Sequence, residues 1–226
     1  SMDRSEITNT ELNVLEEFIP VLPKAWAAPD VLLCANSKPS MQIEALEQCP
    51  DAKINALDTN KIWIEEEFEG LSRAMRMVDV VVLEEEDANA ISGEKVLTQS
   101  ISSIISGESL HGGTAAGPGP RSIIVKRGSS GILAYLPCGT IALPSYPMEN
   151  PIDPTGHGDT FVGALFSSLV GHDGSLNDAE VMRKAMVHAT VTSSYCAEGI
   201  GTKGIRSLGR GKYHARADRY RRIVGI

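Results

Sequence analysis

Long apolar runs, a signal-peptide pattern and an excess of positive charge are all missing from this sequence of 226 residues. No stretch approaches the roughly 20 consecutive apolar residues that a bilayer-spanning helix needs. We therefore expect a cytoplasmic protein without a membrane partner. The formal net charge of −8 argues against nucleic acid as a partner, because phosphate backbones are bound by clustered Lys and Arg.

Cysteines are few and are not arranged for metal or disulfide chemistry. The four of them, Cys34, Cys49, Cys138 and Cys196, contain no C-x-x-C pair. That spacing disfavours both a zinc site and a disulfide framework. Because most of them lie among apolar residues, we expect buried, reduced thiols.

One segment departs from the acidic balance of the chain. Residues 203–222 contain eight basic residues and a single acid, Asp218. A solvated terminal helix is the favoured interpretation, and a binding patch is the alternative.

Short apolar runs rich in Val and Ile alternate with segments of helical spacing. Strands are predicted at 30–35, 53–58, 78–83 and 122–127, and helices at 41–48, 64–75 and 87–92. Apolar runs of this length suit strands that are buried on both faces of a parallel sheet. The alternation predicts an α/β fold over residues 1–226 as a single domain, with a doubly wound, mainly parallel sheet flanked by helices.

The pattern changes after the fourth predicted strand. Residues 132–136 and 140–143 flank a short turn and predict a small antiparallel hairpin. Residues 107–120, rich in Gly and Pro, are predicted to form a loop without chemistry.

A glycine-rich turn, DPTGHGD at residues 153–159, precedes an apolar stretch of helical spacing. Gly156 and Gly158 allow the backbone to approach a ligand, and the first N–H groups of a helix lack internal partners. Together with the helix dipole they can hold a phosphate, and Asp159 beside it could accept a hydroxyl proton. The alternative is a tight turn followed by an acidic first-turn residue. No Walker A pattern is present.

The same turn carries a family resemblance. DPTGHGDTF at 153–161 resembles the second signature of the ribokinase-like (PfkB) kinases, whose usual form is D-T-T-G-A-G-D-x-F. VDVVVLEEEDA at 78–88 resembles that family's strand, N-x-x-E element and short helix, and SIIVKRGSSG at 122–131 resembles its nucleotide-contacting strand and turn. Shorter segments at 10–14, 57–64, 144–147 and 194–199 are similar to a prokaryotic subgroup, so the resemblance runs nearly end to end.

The resemblance implies transfer of the ATP γ-phosphate to a hydroxyl of a sugar or nucleoside, with Mg²⁺ as the metal. Asp159 is the implied catalytic base, and the backbone of Gly156, His157 and Gly158 is the implied anion hole. The implied nucleotide-binding residues are Lys126, Gly128, Gly131 and His188. For His188, an ordinary helix histidine is an equal alternative.

The implied metal-binding residues are Glu84 and Asp87, for which a solvated acidic helix start is the alternative. The family's N-x-x-E element appears here as Glu84-x-x-Asp87, and His157 replaces its usual alanine. Carboxylates at both ends could still bind a hard cation.

The chain begins where the family's N-terminal part should already be complete. The strands that supply the family's sugar-binding acid, glycine pair and lid region are missing, so we expect an N-terminally truncated member. Transfer should then be slow, because water is not excluded and the acceptor is not positioned. The alternative function is a nucleotide-binding or interaction protein without turnover. Edge strands exposed by truncation could pair with a second copy, which makes a homodimer possible.

Overall fold

The computed structural model describes residues 11–111 and 116–226. Within these residues, six strands form one sheet in the order of the chain. They are β1 (Val31–Cys34), β2 (Ile54–Asp58), β3 (Val80–Glu84), β4 (Ser122–Lys126), β5 (Ile132–Leu136) and β6 (Gly139–Leu143). Strands β1 to β4 are parallel, whereas β5 and β6 each run antiparallel to the preceding strand. The predicted parallel sheet and hairpin are confirmed.

Helices cover both faces of the sheet. They are α1 (Pro39–Gln48), α2 (Lys61–Glu66), α3 (Phe68–Arg76), α4 (Glu85–Ser92), α5 (Leu97–Ser106), α6 (His157–Ser167), α7 (Ala179–Cys196), α8 (Lys203–Arg206) and α9 (Arg210–Val224). Connections of one hand between consecutive parallel strands bring α1 to α5 to the same face. Buried residues of α6, α7 and α9 pack on the opposite face.

Strand β3 shows how the sequence builds this core. Val81 and Leu83 pack with the helices α1 to α5, and Val80 and Val82 pack with α6 and α7. All four side chains are 0% exposed, which explains why the strand is a continuous apolar run and not an alternating one. Burying each such side chain contributes about 1.5–3 kcal/mol.

The helix predicted at 64–75 is two helices in the structure. Glu67 separates α2 from α3 with φ −138° and ψ 46°, and its carboxylate lies 3.3 Å from Lys38 Nζ. Asn60 caps α2 by accepting a hydrogen bond from the Ile62 N–H at 3.1 Å. Helical spacing of apolar residues persists across such a break, so the periodicity did not reveal it.

Helix α5 was not predicted. Its sequence, LTQSISSIIS, contains four serines, which favour caps and turns over helix interiors. Ile101 and Ile104 lie on one face and are fully buried. Tertiary packing of that face outweighs the weak local propensity.

The segment predicted as a loop at 107–120 is described only in part, and residues 112–115 of that prediction lie outside the described residues. Arg76, the last residue of α3, donates hydrogen bonds to the carbonyls of Gly107 at 3.2 Å, Leu110 at 2.6 Å and Gly117 at 3.2 Å. One guanidinium therefore joins both sides of the segment.

Two expectations from composition concern the cysteines and membrane-spanning helices. All four cysteines are free, three of them are buried, and Cys138 is partly exposed. Within residues 11–111 and 116–226, no helix is both long enough and apolar enough to cross a bilayer.

Candidate active site

The carboxyl ends of β2, β3 and β4 carry Asp58, Glu84 and Lys126. Parallel strands bring these ends to one edge of the sheet, which is where open α/β sheets bind ligands. Lys126 Nζ lies 3.4 Å from Asp58 Oδ1 and 3.2 Å from Glu84 Oε1. The side chains of Lys126 and Asp58 are 14% and 5% exposed, whereas that of Glu84 is 50% exposed. Lys126 is thus a largely buried cation between a buried and a solvent-facing carboxylate.

The charges in this cluster shift one another's protonation. Burial opposes the charged form of Lys126, but Asp58 and Glu84 outweigh burial and raise the lysine pKa. Burial also raises the pKa of Asp58, Lys126 counteracts this rise, and Asp159 and Glu84 add to it. Asp159 therefore lies close enough to this cluster for its charge to affect the pKa of Asp58.

Helix α6 starts beside this cluster with an unusual backbone. Gly156 precedes the helix with φ 77°, a left-handed conformation that glycine adopts without a steric cost. No side chain of a described residue caps the helix. The His157 N–H donates to the Pro154 carbonyl at 3.0 Å. The N–H groups of Gly158 and Asp159 donate to no described residue. The start of α6 therefore has amides available for an anion, although that of His157 has a partner within the turn.

Gly158 brings the helix start against the strand ends. A Cβ at this position would stand 3.3 Å from Lys126 Nζ and 3.9 Å from Glu84 Oε1. Glycine thus lets the backbone of α6 come close to the ammonium group. Unpaired amides, the positive end of the helix dipole and a lysine meet at this point, a combination that favours a phosphate.

Asp159 occupies the first turn of α6 and is exposed. Its side chain forms no hydrogen bond or ion pair with any residue that the structure describes. His157, two residues before it, is partly buried, and burial followed by the charge of Lys126 lowers the pKa of its imidazole. The exposed carboxylate is accordingly free to contact a ligand.

The two residues predicted to bind metal differ in their surroundings. Glu84 faces solvent and contacts Lys126, whereas Asp87 is 6% exposed. Among the described residues, no group of three or more His, Cys, Asp or Glu side chains is arranged to hold a metal ion. Mg²⁺ that is held partly by phosphates needs only one or two protein carboxylates, and Glu84 fits that requirement.

The predicted nucleotide-binding residues fall in separate places. Gly128, two residues after Lys126, has φ 52° and open space where a Cβ would stand. Gly131, with φ 91°, packs so closely on the backbone of Leu143 that any side chain would clash. Both glycines therefore shape the turn after β4, and Gly128 is the one open to a ligand.

His188 lies between α7 and α9. Its Nδ1 is 2.6 Å from the hydroxyl oxygen of Tyr213, and the two rings make an edge contact. Burial lowers the pKa of its imidazole. We call Asp58, Glu84 and Lys126 the strand-end cluster. No described contact joins His188 to this cluster, so its nucleotide-binding role stays a prediction.

Asp58 is the member of the cluster that reasoning from the sequence did not assign to the site. Its signal was an acid that ends a buried strand, as Glu84 and Lys126 end the next two strands, although Asp58 pairs with Val82 in the sheet. Aligning the carboxyl ends of all the predicted parallel strands would have found it.

The fold and this cluster define an α/β protein whose candidate site lies at the carboxyl ends of parallel strands. A comparison with known protein families identifies the family to which the chain belongs. The model of the pfkB family carbohydrate kinases matches residues 5–199, and the chain belongs to this family. No curated protein matches the chain.

Solved structures share the fold at low identity. Fructokinase from Vibrio cholerae O395, bound to fructose, ADP and calcium, has a TM-score of 0.67 and 20% identity, with 88% of this chain and 63% of that chain covered. Nucleoside kinase from Methanocaldococcus jannaschii has a TM-score of 0.64 and 18% identity, with 84% and 56% covered. A putative ribokinase II from E. coli in complex with ATP and Mg²⁺ has a TM-score of 0.62 and 19% identity, with 84% and 58% covered. The chain thus spans less than two thirds of each of these kinases.

Proposed function

We propose that this protein transfers the γ-phosphate of ATP to a hydroxyl group of a sugar or nucleoside. The observation that carries this proposal is the uncapped start of α6 beside Lys126, with the exposed Asp159 in the first turn of the helix. Membership of the pfkB family supports a carbohydrate or nucleoside acceptor.

Each group of the site has a step in this reaction. Asp159 accepts the proton of the acceptor hydroxyl, whose oxygen forms a bond to the γ-phosphorus while the bond from that phosphorus to the β–γ bridging oxygen breaks. The amides of Gly158 and Asp159 and the ammonium of Lys126 stabilise the negative charge on the transferred group. ADP is the leaving group, and the hydroxyl proton remains on the carboxyl of Asp159 until solvent removes it.

Lys126 acts here as a positioned cation because its partners hold it in place. Asp58 fixes the ammonium from the buried side, and Glu84 contacts it from the solvent side. Mg²⁺ arriving with the nucleotide would neutralise phosphate charge, and Glu84 is the carboxylate exposed enough to hold it.

The decisive experiment measures ADP formation from ATP with a panel of sugars and nucleosides, in the wild type and in Asp159→Asn. Loss of a general base should lower the rate by about 10²–10⁴-fold. Glu180→Gln is the matched control, since Glu180 is also an exposed acid in the first turn of a helix, but on α7. An Asp159→Asn enzyme as active as Glu180→Gln would rule out the proposed base.

A second function is a nucleotide-binding protein without turnover. The observation that favours it is Glu84, because an exposed carboxylate 3.2 Å from Lys126 Nζ weakens the positive field that the triphosphate would meet. Calorimetric titration with ATP, run beside the turnover assay, separates the two functions. ATP binding with no turnover on any acceptor supports the second function, and turnover excludes it.

A further inference from the structure

A cleft of about 510 Å³ lies between the end of α7, α8 and α9, outside the strand-end cluster. The lining residues that matter for recognition are Tyr146, Tyr195, Ser207, Lys212, Arg216 and Arg219. The volume is within the range of roughly 300–1,000 Å³ that is usual for small-molecule sites. The cleft is therefore large enough for a metabolite.

Arg216 forms a rigid wall of this cleft. Its guanidinium carbon stacks 3.5 Å from the centroid of the Tyr195 ring and 4.9 Å from that of Tyr146. The same group donates to Glu198 Oε1 at 2.7 Å and to Ser194 Oγ at 2.9 Å. Its side chain is only 15% exposed. Stacking and hydrogen bonds on this scale hold both rings in place, and each ring residue is 8% exposed, so the guanidinium of Arg216 and the ring edges form a rigid surface toward the cleft.

Positive charge exceeds negative charge in the cleft, because Lys212, Arg216 and Arg219 line it together with one described acid, Glu198, which pairs with Arg216. Lys212 has no ion pair with any residue in the described ranges, and Arg219 reaches only an exposed carboxylate, that of Glu149, at 3.8 Å. Among the eight basic residues of 203–222, only Arg216, Arg219 and Arg221 lie within 4 Å of an acid of the described chain. Mutual repulsion of these cations would be relieved by an anion.

We propose that this cleft binds a small molecule that has a phosphate or carboxylate group attached to a planar apolar body. Lys212 and Arg219 contact the anionic group, and the planar body packs on the Tyr195–Arg216 wall. This ligand is distinct from the nucleotide at α6, because the cleft contains none of the strand-end residues.

Phenyl phosphate is a probe with both features, and isothermal titration calorimetry on the full chain measures its binding. We expect binding to the wild type and weaker binding of inorganic phosphate and of phenol, since each has only one of the features. Lys212→Ala and Arg219→Ala should each weaken phenyl phosphate binding by about 10-fold or more, because a hydrogen bond to a charged group contributes about 1.5–3 kcal/mol. Both residues are exposed, so neither change should affect folding.

Matched controls are Arg206→Ala and Arg222→Ala, which remove equally exposed cations of α8 and α9 that do not line the cleft. A further control is Gly158→Val, which obstructs the α6 site next to Lys126. All three should bind phenyl phosphate as the wild type does. The proposal is overturned by an absence of binding at millimolar concentration, by equal weakening in the controls, or by loss of binding in Gly158→Val. Tighter binding of a short RNA, weakened equally by all four arginine and lysine changes, would instead indicate a polyanion patch and would also overturn it.

Discussion

Lys53 and Lys126 each contact two carboxylates, Lys53 at the surface and Lys126 in the interior. Lys53 Nζ lies 2.8 Å from both Asp30 Oδ1 and Asp173 Oδ1, and its side chain is 52% exposed. Lys126 has longer contacts, 3.4 and 3.2 Å, but is only 14% exposed. Water competes for the groups around Lys53, whereas Asp58 has almost no access to water when Lys126 is absent. We expect the burial of an ion pair, and not its contact distance, to decide how much the fold depends on it.

Removing Lys126 should have the largest effect on stability. Lys126→Met leaves Asp58 charged and buried without a partner, and it should lower the free energy of unfolding by about 3–5 kcal/mol at pH 7. Urea denaturation measures this, with Lys126→Arg as the control that keeps the charge. A loss of stability as small as that from removing an exposed ion pair would show that burial of the ion pair does not determine its contribution.

Asp87 tests the same principle in a buried carboxyl that has no direct cation partner among the described residues. Burial, followed by the charge of Glu84, raises its pKa from 3.8 to about 6. The folded state therefore favours the protonated form, and the stabilisation present below about pH 4 is lost as the pH rises through 6. The loss should be at most about 3 kcal/mol, since one pKa unit corresponds to about 1.4 kcal/mol.

Asp87→Asn isolates this titration because the amide does not ionise. Between pH 4 and pH 7, the wild type should lose stability relative to the variant, as measured by urea denaturation at each pH. Asp218→Asn, at an exposed acid, is the control. A constant difference between the wild type and Asp87→Asn across that range would mean that Asp87 titrates at its ordinary pKa.

Asp58→Asn should have a smaller effect than Lys126→Met. The substitution removes a buried charge, which is favourable, but leaves Lys126 with Glu84 as its only ion-pair partner among the described residues. The net loss should be about 1–2 kcal/mol in the same urea assay, close to that of a hydrogen bond to a charged group. A loss equal to that of Lys126→Met would mean that the two buried charges are equally indispensable.

Lys53→Met should have the smallest effect. Both of its carboxylate partners are solvated, so each remains hydrated when the lysine is lost. The urea midpoint should stay within experimental error of the wild type. A clear shift of that midpoint would break the contrast with Lys126.

The elements that could be predicted from the sequence are those with a strong local signal. Strand β3 is an unbroken apolar run, and α6 begins in a glycine-rich turn, so both were located from the sequence. Helix α5 has a serine-rich sequence whose helical state depends on packing of Ile101 and Ile104. Local propensity and the packed structure disagree there, and packing prevails.

Only those residues of the candidate site that are neighbours in the sequence could be predicted. Asp159 and its glycines are neighbours in sequence, so one motif was enough to select them. Asp58 and Lys126 are 68 residues apart, and their contact depends on the register of β2, β3 and β4. No local pattern contains that information, and the pairing of His188 with Tyr213 was missed for the same reason.

The hydrogen bonds of Arg76 to carbonyls on both sides of the segment after α5 also have a practical consequence. Because the two sides are tied to one guanidinium, their separation is fixed independently of the length of chain between them. The entropy cost of closing a longer loop grows only slowly with its length. A fluorescent protein or affinity tag could therefore be inserted between Leu110 and Gly117, leaving both chain ends and the carboxyl edge of the sheet unaltered.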